Sequence, residues 1–275
     1  MPEINFVHPQ INKIKNQDIS IQVSLDGFSF SIRASEDNTC LLFRHYKFSN
    51  ILLFDELIRK TESVISSDNM LHAVFSEAVV TLISQNSAII PEEFFNPGHL
   101  KKYFEFSHNL AEFDELNYSQ IQAIGAYNIF SVPGYFSQMF YNLYPNVIFE
   151  HQATRLINFG KKNIKANLPP LVIVGLNPGF FDLIIFENEK LVLSNSYQYT
   201  NTTDLIYFFL YACRQLKLEI EKLKVLIFGT ATQNNLLIDE IASQVDKVIV
   251  PDLNIVPLCR NLTSKQAAQF YNLFL

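Results

Sequence analysis

The chain has 275 residues, of which 48% are hydrophobic and 17% are charged. That length is enough for two domains, each with its own core. The charged fraction is below the ~25% of typical soluble domains, which predicts an apolar surface or an oligomer contact. The net charge of −6 argues against nucleic acid as a partner, because binding to phosphates depends on clustered Lys and Arg.

The first half of the sequence predicts a three-stranded unit that is followed by a helix and further strands. Hydrophobic and polar residues alternate within residues 19–48, as in strands that bury one face. The predicted elements are three strands within 19–48, a helix over 50–66, strands at 73–75 and 79–83, strand-like segments from 103 to 133 that are clearest over 123–132, a helix over 135–143, a strand over 147–149 and a helix over 152–162. Residues 167–170 are a candidate linker, so we expect an N-terminal lobe over 1–168, with an inserted strand–helix subdomain, and a C-terminal lobe over 169–275.

The second half predicts a similar series of elements. Three strands are followed by a helix over 203–221, a strand over 225–228, a helix over 234–244, a strand over 248–251 and a terminal helix over 265–275. Residues 205–212 of the first helix are apolar on every side. We therefore expect this helix to be covered on more than one face.

The two halves match each other without a gap at an offset of 152 residues. The aligned pairs include Ile21 with Ile173, Gly27 with Gly179, Phe28 with Phe180, Ile32 with Ile184, Leu41 with Leu193 and Leu53 with Leu205, and the short strand at 72–75 is aligned with that at 224–228. Each aligned hairpin is a strand, a glycine turn and a second strand. We predict that residues 19–83 and 170–262 fold as two copies of one unit, with Gly27 and Gly179 at turns where glycine adopts a positive φ.

Three strands, a helix, a strand, a helix and a further strand, present twice, resemble the plan of the actin-like ATPase superfamily, which includes actin, sugar kinases and the 70-kilodalton heat-shock chaperones. The resemblance implies an α/β, ribonuclease H-like duplicated fold with two lobes, mixed sheets of the five-stranded type and flanking helices. The segments 24–32 (SLDGFSFSI), 81–86 (TLISQN) and 88–95 (AIIPEEFF) look more narrowly like an uncharacterised bacterial family in that superfamily. That family has no assigned function.

Members of the superfamily that hydrolyse nucleotide carry a D-x-G-[TS] turn between the first two strands of each half. Its N–H groups and hydroxyls hold phosphate, and its Asp organises the metal. In the first half of this chain the glycine falls on Gly27 and the carboxylate position falls on Leu25. Asp26 is displaced by one residue, and Asp-Gly is also a common type I′ hairpin turn.

The second half departs further from the phosphate-binding pattern. The superfamily sequence D-[IL]-G-G-G-T-T-D falls on residues 175–182, so that Gly175 replaces the metal-organising Asp and Phe180 and Phe181 replace both hydroxyl residues. Phenyl rings cannot hydrogen-bond a phosphate. Gly229, at the end of a hydrophobic strand, corresponds to the turn on which adenosine rests in the superfamily, and it is the best preserved of these signals.

No other catalytic or metal-binding pattern is predicted. The six histidines form no H-x-x-x-H spacing, and the cysteines form no C-x-x-C pair. No segment approaches the ~18 apolar residues that cross a bilayer, and the N-terminus lacks a cationic start followed by an apolar run. We expect a cytoplasmic protein without a membrane span.

These observations favour a catalytically degenerate actin-like protein, not an enzyme, that needs no cofactor and acts through contacts with a protein partner or a second copy of itself. The alternative is an ATPase or small-molecule kinase that holds ATP and Mg²⁺ in the cleft between the lobes. A third possibility is that the cleft binds a metabolite other than a nucleotide. If nucleotide is bound, the residues expected to contact it are Asp26, Gly27, Asn177, Gly179, Asp182, Gly229 and Thr230.

Overall fold

The structure is a computed structural model that describes residues 1–49, 51, 53–165, 168–229, 235–251, 253 and 263–275. The strands are β1 (Ile4–Val7), β2 (Gln17–Ser24), β3 (Gly27–Ala34), β4 (Cys40–Lys47), β5 (Glu77–Leu82), β6 (Ser87–Pro91), β7 (Asp114–Ile121), β8 (Ala126–Pro133), β9 (Ile148–Glu150), β10 (Leu171–Asn177), β11 (Phe180–Glu187), β12 (Lys190–Gln198), β13 (Lys224–Gly229) and β14 (Lys247–Ile249). The α-helices are α1 (Phe54–Ser67), α2 (Leu100–Glu105), α3 (Gly134–Leu143), α4 (Gln152–Asn163), α5 (Thr202–Gln215), α6 (Asn235–Ala242) and α7 (Ser264–Gln269).

Two large sheets have the same strand order. The first runs β1-β4-β3-β2-β5-β9 and the second β12-β11-β10-β13-β14, so among the described residues the two orders differ by the additional strand β1. In both sheets the first three strands of the repeat pair antiparallel, and the last two are parallel to the first. The predicted duplication is confirmed by this order. A third sheet, β6-β8-β7, is inserted between β5 and β9.

The pairing of the strands corrects the ungapped offset of 152 residues between the two halves. Ser24 pairs with Gly27 across the first hairpin and Asn177 with Phe180 across the second, so equivalent residues in these strands are 177 − 24 = 153 positions apart. In the third strand the offset becomes 198 − 47 = 151, because Lys47 and Gln198 occupy equivalent pairs. Phe28 is therefore equivalent to Phe181, not to Phe180.

A β-bulge is repeated at the same place in both sheets. The register shifts between Ile32 and Arg33 in β3, and between Ile185 and Phe186 in β11, which are equivalent pairs under the offset of 153. A bulge adds one residue to one strand. Because both halves share the bulge, it does not change the offset. The offset falls from 153 to 151 in the connection after it, since Arg33 pairs with Cys40 and Phe186 with Leu191, which makes the second connection two residues shorter.

Several element predictions were wrong in detail. The segment 73–75 is not a strand, because a 3-10 helix over Asn69–His72 precedes β5, which is the true counterpart of β13. Residues 103–105, where strand-like structure was expected, belong to helix α2. Helix α5 ends at Gln215, and Lys217 follows with a φ of +56°, a conformation that commonly terminates helices. Strand β1 was not predicted.

The helices that end each half pack across the boundary between the two large sheets. Helix α4 follows β9 of the first sheet but packs on β10 and β11 of the second, where Leu156 and Ile157 join a core with Ile173 and Phe186. Helix α7 packs on β13, and the 3-10 helix Tyr271–Leu273 that follows it packs on β2 of the first sheet. Each half therefore contributes its last helix to the region between the sheets.

Candidate ligand cleft between the two large sheets

A cavity of about 430 Å³ lies between the two large sheets, within the ~300–1,000 Å³ that small-molecule sites occupy. The two equivalent hairpin turns border it, together with residues 82–86 at and beyond the end of β5 and the inserted sheet. Leu25 contributes from the first turn, and Pro178, Gly179 and Phe180 contribute from the second. The segment 81–86, quoted above for its family resemblance, thus lies largely in the cavity wall.

The cavity is poor in charge. Most of the wall is apolar or neutral polar, and among the described residues that line it the one charged side chain is Asp114 at the start of β7. No Lys or Arg is present in this described lining. A carboxylate without a cation gives the cavity a negative character, which opposes the binding of phosphate groups.

The two hairpin turns at the cavity differ in geometry. Pro178 and Gly179 occupy the central positions of the second turn, and Gly179 has a φ of +80°, which together are typical of a type II turn. The positive φ predicted for Gly179 is confirmed. In the first turn the central residues are Leu25 and Asp26, neither with positive φ, so it is not a type I′ turn.

Gly27 lies at the first position of β3 and not in the turn, so its predicted role was wrong. Its φ is not in the positive range. A Cβ at this position would lie 2.6 Å from His45 Cε1 and 2.6 Å from the carbonyl oxygen of Tyr46. Glycine is required here by the close approach of β4.

Asp182 lies in a buried polar cluster beneath α4. Ser196 Oγ donates to Asp182 Oδ1 at 2.5 Å, and Asn177 Nδ2 and Gln152 Nε2 donate to Oδ2 at 3.0 and 3.3 Å. Burial raises the pKa of Asp182 to about 6, although these three hydrogen bonds favour the ionised form. Asp182 does not line the cavity.

Gln152 connects this cluster to the first sheet. Its Nε2 donates to the carbonyl oxygen of Ser84, just after β5, and its Oε1 accepts from Ser84 N at 3.4 Å. The preceding residue, His151, donates from Nε2 to the same carbonyl at 3.0 Å and accepts from Ala153 N at 3.2 Å, which caps α4. Burial lowers the pKa of His151 to about 3, so the imidazole is neutral.

The equivalent positions of the first sheet carry a different polar cluster. Ser29, the counterpart of Asp182, contacts His45 Nδ1 at 2.8 Å, and His45 is the counterpart of Ser196. Gln22, the counterpart of Gly175, accepts from Asn272 Nδ2 at 3.1 Å. The internal repeat therefore places Gln22, and not Leu25, at the position equivalent to Gly175. Neither half has a carboxylate there.

The sequence-predicted nucleotide residues do not converge on one site. Gly179 alone among the described ones lines the cavity, whereas Asn177 and Asp182 are buried together. Asp26 lies in the first turn and accepts a hydrogen bond from Ser24 Oγ. The pKa of Tyr199, in the second half, is raised chiefly by the burial of Tyr199 and to a lesser extent by the charge of Asp26. Gly229 is buried at the end of β13 with a φ of +87°. Thr230 lies outside the described residues.

Sequence reasoning missed the residues that join the halves at the cleft. Gln152 and Ser84 make the buried connection, and Gln198 Nε2 donates to Gln85 Oε1 at 3.0 Å at the surface. A glutamine after a strand has no distinguishing pattern, so no sequence signal could have identified Gln152. In the described part of the chain no group of three or more His, Cys, Asp or Glu side chains is placed to hold a metal ion.

Residues 8–248 match the family model described as "Protein of unknown function (DUF3822)". The chain belongs to this family. No curated protein matches the chain. None of the described helices combines the length and apolarity needed to span a membrane.

Two solved structures are similar to this chain in fold. A Bacteroides thetaiotaomicron protein with an actin-like ATPase fold and unknown function has 24% sequence identity and a TM-score of 0.80, covering 91% of this chain and 97% of its own. The PilM–PilN type IV pilus biogenesis complex contains a chain with 8% identity and a TM-score of 0.58, covering 93% of this chain and 97% of its own. The predicted two-lobed actin-like ATPase fold is confirmed.

Proposed function

We propose that this chain is a catalytically degenerate actin-like protein that acts by binding a protein partner and does not transfer phosphate. The observation that carries the proposal is the position of Phe180. This residue lines the cavity and is 7% exposed, at the position where the superfamily pattern has a phosphate-binding hydroxyl.

The neighbouring positions support the same conclusion. Phe181 is fully buried in the core of the second sheet and stacks on Tyr197, with ring centroids 5.5 Å apart. Gly175 provides no carboxylate for Mg²⁺, and the buried Asp182 is engaged by three hydrogen-bond donors. A triphosphate in this cavity would lose hydration without gaining donors or a cation from the described lining, at a cost of several kcal/mol.

A role in protein binding is supported by three further observations. Helix α5 carries exposed tyrosines at positions 207 and 211, and tyrosine is enriched at protein interfaces. The similar fold in the PilM–PilN complex belongs to a protein that assembles with another protein. The low charged fraction of the chain, 17%, is in keeping with a surface that is covered by a partner.

The proposal is tested by titrating the protein with Mg-ATP and Mg-ADP in a calorimeter and a thermal-shift assay. We expect no saturable binding at micromolar concentrations and no hydrolysis. A ligand at a hundred times its dissociation constant stabilises a protein by ~2.7 kcal/mol, so binding would be readily detected. Saturable binding of ATP that is lost in Asp26→Ala, but kept in the matched surface variant Asp55→Ala, would refute the proposal in favour of an ATPase or kinase.

A further inference from the structure

Helix α5 has one buried face and one outward aromatic face. Leu205 and Phe209 are fully buried against the second sheet, whereas Tyr207 and Tyr211 are 60% and 50% exposed. The two tyrosine rings stack on each other, with centroids 6.1 Å apart and planes inclined by 17°. The sequence predicted that this helix is covered on more than one face, and the described part of the chain leaves the Tyr207–Tyr211 face uncovered.

The outward aromatic face packs on a series of aromatic residues that leads into the core. Tyr207 makes an edge contact with Phe208 at 5.3 Å, and Phe208 stacks on Tyr197 of β12 at 5.3 Å. Tyr197 in turn stacks on the fully buried Phe181. The exposed rings are thus the end of a packed aromatic series, so little side-chain freedom remains to be lost when a partner binds.

The charged residues of this face are arranged symmetrically along the helix. Asp204 lies three residues before Tyr207, and Arg214 lies three residues after Tyr211. Residues 204, 207, 211 and 214 follow the spacing of one helical stripe. Thr200 donates twice to Asp204 Oδ2, which leaves Oδ1 able to accept from another molecule.

We propose that two copies of this chain associate through α5 as an antiparallel helix pair. In such a pair, related by a two-fold axis at the level of residue 209, Asp204 of one copy faces Arg214 of the other, and Tyr207 faces Tyr211. Both ends then carry an opposite-charge pair, and the tyrosines form the apolar centre. A two-fold contact requires a self-complementary surface, and this charge pattern provides it.

The inference rests on the proposed function, because it names a second copy of the chain as the protein partner. One helix contributes a small interface, below the ~1,200 Å² that stable complexes bury, so the self-association is expected to be concentration-dependent. The charge pairs at its ends are exposed, and salt will weaken them.

The test is sedimentation velocity of the full chain over a concentration range from about 5 to about 200 µM, where a weak dimer changes its degree of association. We expect dimer to accumulate in the wild type. Tyr207→Ser with Tyr211→Ser should abolish it, whereas Tyr141→Ser, which alters an exposed tyrosine on α3, should not. Circular dichroism of each variant verifies that it is folded.

A charge exchange tests the antiparallel arrangement. Arg214→Asp places a carboxylate against Asp204 and should reduce association at least several-fold, as should Asp204→Arg, which sets two guanidinium groups together. The double variant, carrying both changes, should restore association because opposite charges face each other again. A wild type that stays monomeric throughout the range, or a double variant no better than either single one, would overturn the inference.

These outcomes are separable from those of the nucleotide test. A monomeric chain that does not bind Mg-ATP would overturn the self-association and leave the loss of phosphate chemistry standing. A chain that dimerises and binds Mg-ATP would overturn the loss of phosphate chemistry and leave the self-association standing.

Discussion

Gly175 pairs with Asp182 across β10 and β11, so the position that holds the metal-organising Asp of the superfamily pattern lies directly opposite a buried carboxylate. A Cβ at Gly175 would lie 2.8 Å from Leu156 Cδ1 of α4 and 3.4 Å from Asp182 Oδ2. The space that a catalytic carboxylate would need is filled by α4. Loss of the Asp is therefore built into the packing between α4 and the second sheet.

Gly175→Asp should consequently destabilise the protein without creating a site for Mg-ATP. The new carboxylate would be buried against Leu156 and repelled by Asp182, and we expect a loss of at least about 3 kcal/mol in the free energy of unfolding. Urea denaturation and an Mg-ATP titration of the folded variant measure both effects. In a double-mutant cycle, Gly175→Ala should cost less in the Leu156→Ala background than in the wild type, because the contacting methyl group is gone. A stable Gly175→Asp variant that binds Mg-ATP would contradict this account.

The stability of the protein should depend on the ionisation of Asp182. Its folded-state pKa is raised by burial from 3.8 to about 6, so the stabilising contribution of the neutral acid is fully present below pH 4 and is lost as the pH rises through 6. A shift of this size corresponds to roughly 2–3 kcal/mol.

Asp182→Asn isolates this effect, because asparagine does not titrate. The free energy of unfolding of the wild type minus that of the variant should fall between about pH 4 and pH 6 and level off above. Asp55→Asn, at an exposed position of α1, provides the matched control. Parallel stability profiles for wild type and Asp182→Asn would show that Asp182 titrates normally. The comparison also removes the opposite contribution of His151, which is common to both proteins.

Gly229 and Gly179 both have positive φ, but they should respond differently to substitution. A Cβ at Gly179 meets no atom within 4 Å, whereas one at Gly229 would lie 2.1 Å from the carbonyl oxygen of Leu176. Gly179→Ala should cost about 1 kcal/mol through backbone strain alone. Gly229→Ala should cost more than about 3 kcal/mol, because the obstructing atom belongs to the backbone of β10 and cannot move aside. Thermal denaturation compares the two, and equal losses would contradict the close approach of β13 to β10.

The sequence predicted the first hairpin because apolar and polar residues alternate along its strands, although the structure buries both faces. Ile19, Ile21 and Val23 alternate with polar residues, and all three lie in the core of the first sheet. The exact equivalence of the two halves could not be predicted, because the connection after β3 is two residues longer than the one after β11, which changes the offset within one repeat.

The cleft was less predictable than the fold. The mismatch at Phe180 could be recognised from the superfamily pattern, and the structure places that ring in the cavity wall. The role of Asp182 could not be recognised from the sequence, because its burial depends on α4, which belongs to the other half of the chain. Polar contacts between elements that are distant in sequence, such as Gln152 with Ser84, depend on tertiary packing and have no local signal.

Gln152 and Gln85 provide a matched test of what holds the two halves together at the cleft. Gln152 is fully buried and contacts both Ser84 and Asp182, whereas the bond from Gln198 to Gln85 lies at the surface. Gln152→Ala should lower the free energy of unfolding by ~2–4 kcal/mol, because it leaves the backbone N–H of Ser84 without its partner and opens a void. Gln85→Ala should cost less than about 0.5 kcal/mol, since water replaces an exposed hydrogen bond.

Because Asp182 also loses a donor in Gln152→Ala, the pH at which the stabilising contribution of Asp182 disappears should move upwards from about 6. Urea denaturation at several pH values measures both effects, and equal losses in the two glutamine variants would mean that the buried connection does not hold the halves together.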